Sequence, residues 1–124
     1  MTGPSKSIPT ENWSNKPITT RQMMRWVRSY EKSYFNNERL VLGIEIKHKL
    51  PQMACLGLFS FIEISDEIVR SKKLVRILLL HEMVHSRLFL RSCSRDARQE
   101  HGHGARFRTE IKRLMSAGAY DEIL

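Results

Sequence analysis

The fold of this 124-residue chain is decided by residues 72–90, KKLVRILLLHEMVHSRLFL. Apolar side chains occupy nearly every face of a helix drawn through this stretch, and a helix of that kind is normally buried. Ser71 stands directly before it and is a suitable N-cap. Two histidines and a glutamate interrupt the apolar surface, and polar groups buried there are costly without partners. We therefore expect a central, buried helix that carries a polar site.

The polar residues of this helix form an H-E-x-x-H motif, His81-Glu82-Met83-Val84-His85. Residues four apart lie one above the other on a helix, so both imidazoles can reach a single ion. Glu82 neighbours the same opening and can take a proton from a water held there. Two alternatives stay open: both histidines are hydrogen-bonded core residues, or they belong to a structural zinc site. A structural site needs four protein ligands, and neither cysteine stands at a familiar zinc spacing.

A catalytic zinc site would need a third protein ligand, and the residues alone leave its identity open. The metzincin pattern fails, because Leu88 and Arg91 stand where it requires a glycine and a histidine. Glu110 is a carboxylate at a workable distance downstream. His101 and His103, which lie between the motif and Glu110, are two further candidate ligands. The glycine after each histidine allows the backbone to approach the ion closely.

The residues before this helix predict a first helix and a small sheet. Thr19 or Thr20 can cap a helix that runs to about Phe35, with apolar residues at helical spacing: Met23, Val27, Tyr30 and Tyr34. Three runs of branched and apolar residues predict strands, at residues 40–46, 53–59 and 61–64. Ser65 can then cap a short helical turn through Arg70.

After the central helix, a polar and basic connection spans residues 92–104, and a last amphipathic helix ends near Gly118. We expect its inward residues to be Phe107, Ile111, Leu114 and Met115. The predicted fold is α+β: an N-terminal helix, a three-stranded sheet, the buried H-E-x-x-H helix and a C-terminal helix.

We expect a flexible arm over residues 1–17, which contain three of the four prolines, and a single domain over residues 18–124. No apolar run approaches the roughly 20 residues that cross a bilayer, and residues 1–17 contain no secretory signal. Cys55 and Cys93 form no disulfide framework, which favours free thiols and a cytoplasmic protein.

The net charge of +8 is unevenly distributed. Twelve basic and four acidic residues lie between Arg70 and Arg113, so this region carries the whole excess. Such a field attracts polyanions, of which nucleic acid is the commonest, although solvated basic side chains can also serve solubility alone. DNA is therefore a candidate partner, and Trp13 and Trp26 are candidates for stacking on unpaired bases.

The motif and a second segment, His103-Gly104-Ala105-Arg106-Phe107, together resemble the H-E-x-x-H…H-G-x-x-F signature of the SprT-like zinc metallopeptidases. This group includes the Spartan-type proteases, which digest proteins crosslinked to DNA. The resemblance also covers residues 54–58, residues 62–65 and the three leucines before His81. It extends over roughly residues 20–115 and concerns the catalytic module only.

The resemblance implies a zincin-like protease domain with three zinc (Zn²⁺) ligands, His81, His85 and His103. It makes Glu82 the general base, gives Phe107 a packing role and leaves His101 outside the site. Candidates for stabilising the oxyanion are Tyr120, Arg106 and Arg108.

The function that these residues and the resemblance together predict is a zinc-dependent endopeptidase, which hydrolyses peptide bonds of a protein or peptide substrate by a metal-activated water. Proteins associated with or crosslinked to DNA are candidate substrates. The alternative is a DNA-binding module with a non-catalytic zinc site.

Overall fold

The structure is a computed structural model, which describes residues 16–50, 54–56, 60–91 and 104–123. Within these ranges the elements follow one another as α1 (Thr20–Tyr34), β1 (Gly43–Lys47), β2 (Ala54–Leu56), β3 (Phe61–Ser65), α2 (Lys72–Arg91) and α3 (Ala105–Ser116). The predicted α+β architecture is confirmed. The proposed boundary between an arm and a domain falls largely on residues outside these ranges and stays a prediction.

The three strands form one sheet in the order β1-β3-β2. β3 is central: it pairs in parallel with β1, where Ile44 lies opposite Ile62, and antiparallel with β2, where Ala54 lies opposite Ile64. Side chains alternate between the faces of a strand, and Ile62 and Ile64 of β3 are both completely buried. The sheet therefore presents one apolar face to the helices.

A buried carboxylate explains why β1 begins at Gly43 and not at the predicted Leu40. Glu31, near the end of α1, accepts hydrogen bonds from the backbone N–H groups of Leu40 (2.7 Å) and Val41 (3.2 Å). It also accepts two from Arg28, at 2.7 and 2.9 Å. Because those N–H groups bind a side chain, they are not available to a strand ladder. The same bonds fasten α1 to the segment that leads into the sheet.

The helix caps agree with the sequence. Thr19 and Gln22 form a capping box at the start of α1, and the Ser71 hydroxyl accepts the N–H of Leu74 at the start of α2. Ser65 accepts the N–H of Glu67, but residues 66–70 form turns and not the expected helical turn.

The core lies between the sheet and the helices, and α2 supplies its centre. Five α2 residues are completely buried: Val75, Leu79, Leu80, Met83 and Val84. α3 contributes Phe107 and Leu114 as predicted, whereas Met115 is half exposed, at 52%, and not inward. Gly118, with φ of +91°, reverses the chain after α3. No helix within the described ranges is both long and apolar enough to cross a membrane.

Candidate metal centre

The two motif histidines of α2 point to one position. Their Nε2 atoms lie 3.2 Å apart, and the rings meet edge to face with centroids 4.8 Å apart. This follows from the helix itself, because side chains four residues apart share a face. Both rings are partly exposed, so an ion could reach them from solvent.

Glu82 completes the cluster from the buried side. It is only 4% exposed, and its Oε2 lies 3.9 Å from Nε2 of His81. One ligand atom from each of His81, Glu82 and His85 lies within 4.8 Å of the others. The structure therefore brings together three of the four predicted site residues.

The spacing of the two imidazoles fits a tetrahedral metal. Histidine nitrogens bind zinc at about 2.0–2.1 Å, so two of them on one tetrahedral ion stand about 3.3–3.4 Å apart. The observed 3.2 Å between the Nε2 atoms is close to that separation. The donor set of two imidazoles and a neighbouring carboxylate also suits zinc. The described residues thus fit part of a zinc site.

α3 packs directly against this cluster through Phe107. The ring centroid of Phe107 lies 4.9 Å from that of His81 and 4.7 Å from that of His85. The predicted packing role of Phe107 agrees with these contacts. Gly104 is the N-cap of α3, so Phe107 belongs to its first turn. His101 and His103, the remaining candidate ligands, lie outside the described residues.

Glu110, the other candidate third ligand, is engaged elsewhere. Its carboxylate accepts hydrogen bonds from Arg113 at 2.9 and 2.7 Å and lies 3.4 Å from Nε of Arg87. The pair with Arg87 joins α3 to α2, whereas the pair with Arg113 lies within α3. Glu110 is also absent from the one metal-ligating group found among the described residues. A carboxylate held by two guanidinium groups is poorly suited to bind a cation as well, which disfavours this alternative.

The position of α2 is fixed by a buried bond from the residue after the motif. Ser86 is 1% exposed, and its hydroxyl donates to the carbonyl of Leu40 at 2.6 Å. Leu40 is the residue whose N–H binds Glu31. The metal-site helix is therefore tied to α1 through two consecutive hydrogen-bonded contacts.

Of the oxyanion candidates, Tyr120 shares a pocket with the metal cluster. It lines this pocket with His81 and is itself 9% exposed. Burial raises the pKa of Tyr120 above its ordinary value, and the neighbouring phenol of Tyr30 adds to the rise. The phenol is therefore neutral at physiological pH. The pocket was not predicted from the sequence. Its three α3 residues, which are spaced by four, indicated only an apolar helix face.

A helix that directs two imidazoles and a carboxylate towards one another, beside a small mixed sheet, is the arrangement expected of a metallopeptidase with an H-E-x-x-H motif. The family model for the SprT-like family matches residues 23–123, and the chain belongs to that family. The predicted resemblance and the assignment as a metallopeptidase are thereby confirmed.

Among solved structures, the chain is similar to the crystal structure of the metallopeptidase zymogen of Methanocaldococcus jannaschii jannalysin. The two are 23% identical, with a TM-score of 0.53, over 82% of this chain and 88% of that one. This likeness supports the fold. No curated protein matches the chain.

Proposed function

We propose that the protein is a zinc endopeptidase in which His81, His85 and His103 hold the metal and Glu82 is the general base. The observation that carries the proposal is the convergence of His81, Glu82 and His85, with ligand atoms within 4.8 Å of one another. Bound zinc would supply Lewis acidity, which polarises the scissile carbonyl and lowers the pKa of water.

Glu82 is suited to its role by its position and its burial. Its carboxylate lies beside the imidazoles and not between them, 3.9 Å from the Nε2 of His81. A carboxylate oxygen of Glu82 accepts the proton of the attacking water. Phe107 packs on both imidazoles and restricts their rotation, so the two nitrogens stay directed at one point.

His103 as third ligand is supported by where α3 starts. Residue 103 directly precedes the N-cap Gly104, and Phe107, one turn later, touches both imidazoles. His103 is thus two residues closer along the chain to this contact than His101 is. His103→Ala should release zinc, whereas His101→Ala should retain it; the opposite result would reassign the ligand.

The main test measures zinc content and casein cleavage in the wild type, in Glu82→Gln and in the control Glu45→Gln. Glu45 is an exposed residue of β1, so its variant makes the same chemical change away from the site. We expect stoichiometric zinc in all three and cleavage in all but Glu82→Gln. Undiminished cleavage by Glu82→Gln would refute the general-base assignment, and a wild type without zinc would refute the site.

DNA-associated proteins are the substrate class that we propose, and a basic groove supports it. The groove, of about 620 Å³, is lined by Lys16, Arg25 and Lys72 around the half-buried Trp26. The Lys72 ammonium lies 6.0 Å from the centre of the Trp26 ring. Cations beside an aromatic face are a usual arrangement for binding single-stranded nucleic acid, where phosphates meet the cations and a base stacks on the ring.

Three basic residues in the described part of the region Arg70 to Arg113 are engaged in ion pairs. Arg87 and Arg113 pair with Glu110, and Arg76 pairs with Glu122. The three cations of the groove lie around an aromatic ring, and we place DNA binding there.

Anisotropy of a labelled single-stranded oligonucleotide, measured from low to high salt, tests this placement. Each phosphate contact contributes a slope of about −0.7 in log K against log salt. The double variant Arg25→Gln/Lys72→Gln should flatten that slope by about 1.4, while the exposed pair Lys32→Gln/Lys47→Gln should change it less. A salt-independent wild type would exclude DNA. DNA binding without any Glu82-dependent cleavage would instead support a DNA-binding module with a non-catalytic zinc site.

A further inference from the structure

A small apolar pocket opens beside the metal cluster. It has a volume of about 230 Å³, and α2, α3 and the turn after α3 form its wall, with the residues Ile77, His81, Phe107, Ile111, Met115 and Tyr120. Ile77 and His81 are one turn apart on α2, and the three α3 residues are spaced by four, so the pocket runs along the seam between the two helices.

The pocket is continuous with the proposed catalytic site. One of its walls is His81, whose Nε2 lies 3.2 Å from that of His85. Another is Phe107, which packs on both rings. A group bound in the pocket therefore lies against a metal-site imidazole.

Its size and lining restrict what it can hold. Sites for drug-sized ligands usually measure about 300–1,000 Å³, so a pocket of about 230 Å³ suits one amino-acid side chain. Among the described residues that line it there is no carboxylate, ammonium or guanidinium group. A charged side chain would lose its hydration there without gaining a partner, whereas an aliphatic one would bury apolar surface.

Met115 belongs to this lining and is 52% exposed, so its side chain is free to move at the surface of the pocket. A flexible thioether can adapt to aliphatic side chains of different shapes.

We propose that this pocket is the specificity pocket of the enzyme and receives a leucine- or methionine-sized side chain of the substrate residue next to the scissile bond. The proposal rests on the proposed peptidase function. In this proposal Met115 and Ile111 set the accepted size and polarity.

The test profiles cleavage sites in denatured casein and in a mixed peptide library by mass spectrometry. It compares wild type, Met115→Glu and the control Leu42→Glu, which alters an equally exposed apolar residue outside the pocket lining. We expect the wild type and the control to prefer an aliphatic residue at one position beside the cleaved bond. In Met115→Glu, kcat/KM for a leucine-containing peptide should fall at least ~10-fold, and lysine or arginine should gain at that position.

The outcomes distinguish failure of the specificity pocket from failure of the peptidase function. Glu82-dependent cleavage with the same profile in Met115→Glu as in the wild type would overturn the specificity pocket and leave the peptidase intact. Absence of any Glu82-dependent cleavage by the wild type would overturn both. Zinc content and thermal unfolding of Met115→Glu, expected to equal those of the control, confirm that a changed profile reflects the pocket and not misfolding.

Discussion

The buried carboxylate of Glu31 gives the strongest prediction about stability, through the substitution Glu31→Gln. Glu31 is 2% exposed and accepts the N–H groups of Leu40 and Val41 together with two hydrogen bonds from Arg28. Glutamine has one acceptor oxygen in place of two. In either orientation its NH₂ group therefore faces donors, the two backbone N–H groups or the guanidinium.

The size of the effect follows from that count. Losing one charge-assisted hydrogen bond costs about 1.5–3 kcal/mol, and a buried donor left unsatisfied costs about 1–3 kcal/mol. Since the two losses overlap, we expect the free energy of unfolding to fall by about 2–4 kcal/mol. For a chain of this length, between the small and the larger domains, each kcal/mol lowers Tm by roughly 3–6 °C, so a loss of about 2–4 kcal/mol should lower Tm by about 6–24 °C.

Urea unfolding followed by circular dichroism measures this change directly, with Glu45→Gln as the exposed control. Surface substitutions of that kind alter stability by no more than about 0.5 kcal/mol. An equally small effect of Glu31→Gln would refute the reasoning, because it would mean that the carboxylate does not hold the segment before β1.

Three further predictions concern packing, backbone and pH. Phe107→Ala should cost about 3–5 kcal/mol in urea unfolding and weaken zinc binding in a competition titration with a chelating dye, because the ring packs on both metal-site imidazoles; unchanged zinc affinity would limit the residue to packing. Gly118→Ala should lower stability by about 1–2 kcal/mol, measured by thermal unfolding, because φ of +91° is strained for alanine and its Cβ would lie 3.1 Å from an Asp121 oxygen. Burial raises the pKa of Tyr30 and Tyr120 in the folded protein above 10.0, so the unfolded chain ionises first, and stability should fall as pH rises beyond about 10. Tyr120→Phe should make that fall shallower in unfolding curves at pH 8–11, and an identical slope would exclude Tyr120 as its source.

Much of the fold was predictable because its determinants are local. Thr19 and Ser71 cap α1 and α2 with their own hydroxyls, and the apolar period of each helix predicts its buried face. The metal cluster was predictable for the same reason, because the helical repeat alone brings His81 and His85 together.

The features that sequence analysis missed depend on contacts between distant residues. β1 starts three residues late because Glu31, nine residues before Leu40, takes the N–H groups that a strand would use. The order β1-β3-β2 reflects pairing between segments whose individual patterns carry no information about neighbours. Met115 fits the apolar stripe of α3 but lies at the mouth of a pocket, which only the position of α2 reveals.

The third metal ligand could not be predicted from the residues alone, because three candidates lay at suitable positions. From residues alone, Glu110, His101 and His103 were all open, and the structure makes Glu110 unsuitable through its two arginine partners. The preference for His103 over His101 comes from the family signature, and the start of α3 directly after residue 103 supports it. The cytoplasmic location inferred from Cys55 and Cys93 also stays a prediction, since Cys93 lies outside the described residues.

The double use of α2 has a consequence for how such an enzyme can diversify. One side of the helix builds the core with Leu79, Leu80 and Met83, and the other presents the metal cluster. A substitution on the core side threatens folding and one in the cluster threatens chemistry, so the middle of this helix should tolerate few changes. Met115, on the apolar face of α3, is half exposed and belongs neither to the core nor to the metal cluster. New substrate preferences would therefore arise more readily on α3, and a library that aims to redirect the enzyme should randomise Ile111 and Met115 while leaving α2 unchanged.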